Sequence, residues 1–262
     1  MTSYKYVNVS TESFVTTVEI DHPPANTLSP DSINELRGVF KTLSNDSDTR
    51  AIVLTGAGRF FVAGADIKKF TEAFDDAAKA EAIAKAGQDL CEEIEQSKKP
   101  VIAAINGAAL GGGLEVAMAC HYRFAAEDAV LGLPELNLGL IPSFGGTQRL
   151  RRYLGSARAM EYILTSKNMK ASEAADLGLV QRIVPGESAR ADAYAFAEQL
   201  IEGKSMASVE RAVAAIMNGI DGSAEDSLEL ERQFFGELFC SDDGKEGVQA
   251  FIDKRTPDFR HS

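Results

Sequence analysis

An α/β domain with a C-terminal helical segment is the fold class that this 262-residue sequence predicts. Up to about residue 187, short apolar or alternating segments typical of strands alternate with stretches of helical periodicity. From residue 188 onward only helical patterns occur, and glycines follow several of them. We therefore expect residues 1–187 to form the core and residues 188–262 to form a helical extension.

The first elements are predicted by alternation and by a helix cap. Residues 14–20, FVTTVEI, alternate loosely and predict a strand that pairs with the preceding YKYVNV through residues 10–13. Ser29 and Pro30 are the residue types of an N-cap and a first helical position, so a helix is predicted to begin there. Its apolar face consists of Ile33, Leu36, Phe40 and Leu43, at spacings of three and four.

Buried strands and a long helix are predicted next. AIVLT at 51–55 is a buried run that Gly-Ala-Gly ends, and Phe61 breaks the dinucleotide-binding fingerprint that these glycines would open. Residues 77–96 predict a long helix that Pro100 stops before the buried strand 101–105. Further short strands are predicted near 123–126 and 180–184, and C-terminal helices over 188–202, 205–218, 224–240 and 244–254.

The composition disfavours several classes of protein. With 27 basic and 39 acidic residues the net charge is −12, which repels nucleic acid and anionic membranes. Residues 100–120 form an apolar run, but three glycines, an asparagine and a glutamate within it disfavour a membrane-spanning helix. The N-terminus lacks the pattern of a secretory signal, so we expect a cytoplasmic protein.

The three cysteines, Cys91, Cys120 and Cys240, are far apart and each lies in an apolar helical pattern. Because no CxxC or Cys/His cluster occurs, the sequence predicts no metal site. We expect three reduced thiols in the core.

One glutamate stands in a segment that is otherwise built for burial. Between Pro100 and Cys120, Glu115 is the only charged residue, and Gly111–Gly113 precede it. Glycines at a helix N-terminus leave N–H groups free to bind an anion. A first-turn glutamate could instead stabilise its own helix terminus from solvent, but burying an unpaired carboxylate costs several kcal/mol. We therefore favour a functional role.

A second glutamate and a second glycine-containing loop strengthen this interpretation. Glu135 lies among apolar and turn-forming residues in GLPELNLGLIPSFGGTQRL, residues 132–150, although alone it could be a solvated loop residue. Ala63-Gly64-Ala65 offers main-chain N–H groups with little side chain in the way. When two such carboxylates lie beside two backbone donor sites, one carboxylate can position and deprotonate a water while the other delivers a proton.

Several motifs now identify a resemblance. AGADIK at 63–68, NGAALGGGLE at 106–115 and PELNLGLIPSFGGTQRL at 134–150 resemble the enoyl-CoA hydratase/isomerase family, the crotonase superfamily. PPANTLS near the start, KASEAADLGLVQRIV and EGVQAFIDKRTPDF near the end extend the resemblance over essentially the whole chain. It implies a crotonase-type spiral of repeated ββα units, followed by C-terminal helices used for assembly into trimers or dimers of trimers.

The resemblance also implies roles for individual residues. Glu115 and Glu135 match the two catalytic glutamates, and Ala65 and Gly112 match the residues whose N–H groups form the oxyanion hole. The positions expected to contact the acyl-CoA are Ala63, Ala65, Asp66, Ile67, Lys68 and Gly112, with Phe251 and Lys254 reaching a neighbouring subunit's coenzyme A site. No cofactor is expected, because coenzyme A is part of the substrate.

The implied activity is reversible addition of water to 2-enoyl-CoA thioesters, giving 3-hydroxyacyl-CoA in lipid metabolism. A Δ3-Δ2 enoyl-CoA isomerase on the same fold is the alternative, since shuttling one proton requires only one carboxylate. Thioester hydrolysis, decarboxylation and a non-enzymatic or RNA-binding role are less favoured, the last because of the −12 charge. Arg149, Arg151 and Arg152 are expected to form ion pairs on a solvated helix face.

Overall fold

The computed structural model describes residues 4–219 and 222–260 of the chain. Over these residues the chain forms ten strands in two sheets, together with eleven α-helices. The strands are β1 (Val7–Glu12), β2 (Val15–Ile20), β3 (Ala51–Gly56), β4 (Phe60–Val62), β5 (Val101–Ile105), β6 (Ala108–Leu110), β7 (Tyr122–Ala126), β8 (Val130–Gly132), β9 (Met169–Lys170) and β10 (Arg182–Val184).

Helices pack against these sheets, and every regular element that the structure describes after Val184 is helical. They are α1 (Pro30–Ser44), α2 (Ile67–Phe70), α3 (Ala77–Glu95), α4 (Gly112–Ala119), α5 (Gly146–Leu154), α6 (Ser156–Leu164), α7 (Ala171–Asp176), α8 (Ala189–Ile201), α9 (Met206–Asn218), α10 (Ala224–Cys240) and α11 (Asp242–Asp253). Short 3-10 helices cover Thr71–Ala73, Glu135–Leu138 and Gly186–Ser188.

The chain builds its core by repeating a ββα unit. The first sheet has the order β1-β2-β3-β5-β7-β10, and the second has the order β4-β6-β8-β9. Three successive strand pairs, β3–β4, β5–β6 and β7–β8, each place one strand in each sheet before the chain enters helical structure. Within the second sheet β4, β6 and β8 are parallel neighbours, so their carboxyl ends lie along one edge.

Local chemistry explains where the first helix begins. Ser29 caps α1, with its hydroxyl accepting from the Ser32 N–H at 3.2 Å while its own N–H donates to the Ser32 hydroxyl at 2.9 Å. Pro30 takes the first helical position, where its missing N–H costs nothing. The predicted apolar face is confirmed, because Ile33, Leu36, Phe40 and Leu43 are all buried.

Two apolar clusters pack against opposite faces of the first sheet. The larger cluster lies between this sheet, α1, α3, α4 and the second sheet. The smaller cluster lies under α8, whose Ala189, Ala193, Ala197 and Ile201 contact the other face. As a consequence β3 and β5 are buried along their whole length, which explains their continuous apolar runs.

Three of the details that differ from the sequence prediction concern β1, β10 and Cys240. Strand β1 runs on to Glu12, because the connection to β2 is a two-residue turn in which Ser13 and Phe14 have φ of 46° and 65°. The strand predicted at 180–184 is limited to Arg182–Val184, since the N–H of Val180 donates back to the carbonyl of Ala174. Cys240 is exposed on α10, whereas Cys91 and Cys120 are buried as predicted.

A buried arginine links the end of α4 to the segment that precedes β10. Arg123 on β7 is 1% exposed, and its guanidinium donates to the carbonyls of Cys120 at 2.6 Å and Leu179 at 2.6 Å. A further bond reaches the carbonyl of Ala117 at 3.3 Å, so the charge lies at the C-terminus of α4, where the helix dipole is negative. Arg123 therefore fixes the end of α4 opposite its glycine-rich N-terminus.

We predict that Arg123→Met lowers the free energy of unfolding by about 2–4 kcal/mol, because several buried carbonyls lose a charged donor. Chemical denaturation followed by circular dichroism measures this change. Arg158→Met on α6 is the control, since Arg158 is exposed and its replacement should change stability by less than about 0.5 kcal/mol. Equal stability of the two variants would contradict the role given to Arg123.

Candidate active site

The candidate site forms where three parallel strands of the second sheet end. Ala63, Gly64 and Ala65 follow β4, Gly111 follows β6, and Glu135 lies three residues after β8. Because β4, β6 and β8 are neighbours in that order, these residues lie at one edge of the sheet. The topology thus brings together segments that are about 20 to 70 residues apart in the sequence.

The main chain at Ala65 is oriented by a short parallel bridge to Leu28. The N–H of Leu28 donates to the carbonyl of Gly64 at 2.9 Å, and the N–H of Asp66 donates to the carbonyl of Leu28 at 2.8 Å. In this pattern the N–H of Ala65 points away from Leu28. It makes no hydrogen bond to any residue that the structure describes.

The second free amide lies at the start of α4. Gly112 is the first residue of α4, so its N–H has no carbonyl one turn earlier to bind. Gly111 before it has a φ of 51°, and a Cβ added there would lie 2.8 Å from Glu135 Oε1 and 4.0 Å from the Cα of Gly64. Glycine at 111 therefore allows the two donor loops and the Glu135 carboxyl to meet.

Glu115 lies in the first turn of α4 and is 1% exposed. Its Oε1 accepts from the N–H of Phe144 at 2.8 Å and from the N–H of Gly146 at 2.6 Å. Gly146 begins α5, so the carboxylate occupies the positive end of that helix. A Cβ at Gly146 would lie 2.8 Å from Oε1, which explains why a glycine stands there.

Glu135 has a different environment from Glu115. It begins a 3-10 helix, its side chain is half-buried, and its Oε2 is buried without a hydrogen-bond partner among the described residues. A buried carboxylate oxygen without a donor is costly unless a ligand or water completes it. Glu135 therefore has one oxygen available for a ligand, whereas one oxygen of Glu115 already accepts two amides.

The environments raise the proton affinity of both carboxyls. Burial raises the pKa of Glu115 to about 7; repulsion from Glu135 adds to this rise, while the amides of Gly146 and Phe144 oppose it. Burial also raises the pKa of Glu135, against a lowering by its own backbone amide. Two interacting carboxyls with raised pKa values are suited to proton transfer near neutral pH.

The remaining predicted binding residues divide into two groups. Asp66, Ile67 and Lys68 continue directly from Ala65 into α2, with the Asp66 side chain capping that helix. Phe251 and Lys254 lie instead at the end of α11, which packs mainly against α10, and Phe251 is 85% exposed. These two residues contribute nothing to the glutamate site within one chain, and a role in a neighbouring subunit stays a prediction.

Three residues of the site were not foreseen in these roles. Phe144 and Gly146 supply the amides that bind Glu115, and the only signal for them was the Gly-Gly pair that opens α5. Arg149 was expected on a solvated face, but it is 9% exposed. The expected ion pairs are present, since Arg149 and Arg152 both bind Glu95.

Comparison with known proteins decides the family. The family model described as enoyl-CoA hydratase/isomerase matches residues 10–262. The chain belongs to the enoyl-CoA hydratase/isomerase family. The crotonase-type α/β spiral that the resemblance implied is confirmed by a solved enoyl-CoA hydratase from Bacillus anthracis, with a TM-score of 0.91 and 38% identity over 98% of this chain and 100% of that one.

Curated members of the enoyl-CoA hydratase/isomerase family are similar over the same extent. A relative from Bacillus subtilis (strain 168), named probable enoyl-CoA hydratase, is 47% identical and covers 97% of this chain and 98% of its own. A relative from Clostridium acetobutylicum, named short-chain-enoyl-CoA hydratase, is 39% identical and covers 93% of each chain.

The described residues of the present chain include no helix whose length and apolar character would allow it to span a membrane.

We predict that the raised pKa of Glu115 makes the wild type less stable, relative to Glu115→Gln, as pH rises from 4.5 to about 7. Over that window the folded protein holds a proton that the unfolded chain has released, so ionisation favours unfolding by up to about 3 kcal/mol. Urea denaturation at several pH values measures the difference. Glu161→Gln, an exposed control on α6, should show no such dependence, and a constant difference for Glu115→Gln would refute the raised pKa.

Proposed function

We propose that this protein is an enoyl-CoA hydratase, which adds water reversibly to the double bond of 2-enoyl-CoA thioesters. The observation that carries the proposal is the meeting of Glu115, Glu135 and two unpaired main-chain amides at the ends of β4, β6 and β8. The names of relatives over nearly the full chain support the same reaction. Coenzyme A enters as part of the substrate, and the proposal requires no metal or redox cofactor.

In the proposed reaction the thioester oxygen accepts hydrogen bonds from the N–H groups of Ala65 and Gly112. Negative charge builds on this oxygen as water attacks, and the dipole of α4 favours that charge at its N-terminus. Removing one such donor typically costs about a hundred- to a thousandfold in rate. The polarised carbonyl makes the β-carbon electrophilic.

The two glutamates divide the proton transfers in this proposal. Glu115 holds the water and accepts its proton as the oxygen bonds to the β-carbon. Glu135 donates a proton to the α-carbon, and removes it again when the reaction runs as dehydration. The free Oε2 of Glu135 supports this role, because an acid that serves the substrate needs an oxygen not engaged by the protein.

We propose a homotrimer or dimer of trimers in which Phe251 and Lys254 complete a neighbour's coenzyme A site. Large apolar side chains exposed on the C-terminal helices, including Phe235, Phe239, Phe251 and Ile252, support assembly through this segment. We further propose a role in lipid metabolism and a cytoplasmic location, and the three free cysteines agree with that location.

We predict that Glu115→Gln and Glu135→Gln each lower kcat for hydration of crotonyl-CoA by about a hundred- to ten-thousandfold, because each removes one proton-transfer group. Loss of absorbance of the conjugated thioester gives the rate. Binding of a saturated acyl-CoA, measured by calorimetry, should survive, and Glu161→Gln should hydrate at the wild-type rate. Wild-type rates in both glutamate variants would rule out the proposed roles.

We predict that purified protein hydrates 2-enoyl-CoA faster than it converts 3-enoyl-CoA to the 2-enoyl isomer. Hydration uses one carboxyl to position the water and a second to transfer a proton, whereas isomerisation requires only one carboxyl. A panel of acyl-CoA substrates of increasing chain length, assayed for both reactions, measures the ratio. Faster isomerisation at every chain length would assign the site to the alternative activity. Release of thiol or carbon dioxide would indicate hydrolysis or decarboxylation instead.

A further inference from the structure

Arg149 is a buried cation next to the candidate site to which the proposed reaction gives no role. It lies one turn into α5, and its Nε is 3.1 Å from Glu95 Oε2. Its Nη1 donates to the carbonyl of Phe144 at 3.0 Å. The guanidinium therefore spans from the end of α3 to the turn that precedes α5.

That same turn holds Glu115. The N–H of Phe144 donates to Glu115 Oε1, while the carbonyl of Phe144 accepts from Arg149. Gly145 between Phe144 and the second donor, Gly146, has a φ of 104°, and a Cβ added there would lie 2.3 Å from Arg149 Nη1. A side chain at position 145 would therefore collide with the guanidinium. Together with its bond to the carbonyl of Phe144, this close packing holds the conformation of residues 144–146.

Glu95 fixes the guanidinium in turn. It lies in the last turn of α3 and binds Arg149 with one carboxylate oxygen and Arg152 with the other. A largely buried ion pair is stable only when its geometry is good and its remaining donors are satisfied. Arg149 meets both conditions through Glu95 and the carbonyl of Phe144.

We propose that Arg149 is a positioning residue for the hydratase reaction: anchored by Glu95, it holds the 144–146 turn whose two amides orient the Glu115 carboxylate. This inference rests on the proposed function for its kinetic consequences. The contacts that carry it, from Glu95 through Arg149 and Phe144 to Glu115, do not depend on that function.

The surrounding charges give the direction of the electrostatic effect. Glu115 faces Glu135, Arg149 and the thiol of Cys91 on α3. Burial raises the pKa of Cys91 far above neutrality, so its thiol carries no charge there. Arg149 lowers the pKa of Glu115, against the larger rise from burial. Removing the cation therefore raises the pKa of Glu115.

The test compares Arg149→Met, Arg149→Lys and the control Arg151→Met on the intact protein with crotonyl-CoA. Arg151 is exposed on the same helix, so Arg151→Met removes one charge without touching the turn. For Arg149→Met we expect kcat to fall about ten- to a hundredfold with KM nearly unchanged, because the misplaced carboxylate still permits binding. The acid limb of the kcat–pH profile should move to higher pH, because the Glu115 carboxylate loses a nearby cation.

Arg149→Lys separates orientation from charge. It keeps the cation but not the planar fork, so the acid limb should stay at the wild-type pH while kcat recovers only in part. A merely structural role would lower the folded fraction and leave the pH profile unmoved. Wild-type kcat and an unmoved acid limb in Arg149→Met would overturn the proposal, as would full wild-type kcat in Arg149→Lys should Arg149→Met fail to fold.

A measurement independent of activity keeps this test separate from that of the proposed function. Protein labelled with ¹³C at the glutamate carboxyl is titrated by NMR, and the Glu115 signal is assigned by its loss in Glu115→Gln. An upward shift of its midpoint in Arg149→Met, absent in Arg151→Met, supports the positioning role. If the wild type fails to hydrate crotonyl-CoA, the proposed function fails, while this titration still decides the role of Arg149.

Discussion

The Glu115 carboxylate, buried at 1% exposure and held by the amides of Phe144 and Gly146, is the constraint on which the rest of the site depends. A desolvated carboxylate is tolerable only with donors aimed at it, and the N-terminus of α5 supplies them together with a favourable dipole. This requirement excludes a side chain at position 146, and it brings α4 and α5 into direct contact. The contacts between Glu115 and the start of α5 therefore both pack the core and form the candidate site.

The ββα repeat brings together segments that are far apart in the sequence. Each repeat ends a short second-sheet strand at the same edge, so the segments after β4, β6 and β8 meet although helices separate them in the chain. Glycine allows the close approach, since a Cβ at Gly113 would lie 2.1 Å from the carbonyl of Val62 and one at Gly111 would contact Glu135. At the other end of α4, Arg123 binds the last carbonyls, so both termini of the helix that carries Glu115 are fixed.

The fold class and most strands and helices could be predicted from the sequence, because buried runs such as VIAAI and the cap at Ser29 are local signals. The burial of Glu115 was also predictable, since no other charge occurs between Pro100 and Cys120. Its partners were not, because Phe144 and Gly146 are 29 and 31 residues away and only tertiary packing selects them. For the same reason Arg149 was wrongly expected in solvent: its counterion, Glu95, lies 54 residues earlier.

The contrast between the two glutamates argues for a division of labour rather than a symmetric pair. Burial raises the pKa of Glu115 to about 7, although two backbone amides and a nearby guanidinium oppose that rise. Glu135 has only its own amide against burial and keeps one oxygen without a donor. Adjacent carboxyls titrate as a pair, so the contrast between the two glutamates lies in their hydrogen-bond partners and not in separate proton affinities. In the proposed reaction the 144–146 turn, with the cation behind it, holds Glu115 so that it orients the water, while the free oxygen of Glu135 serves the substrate as the acid.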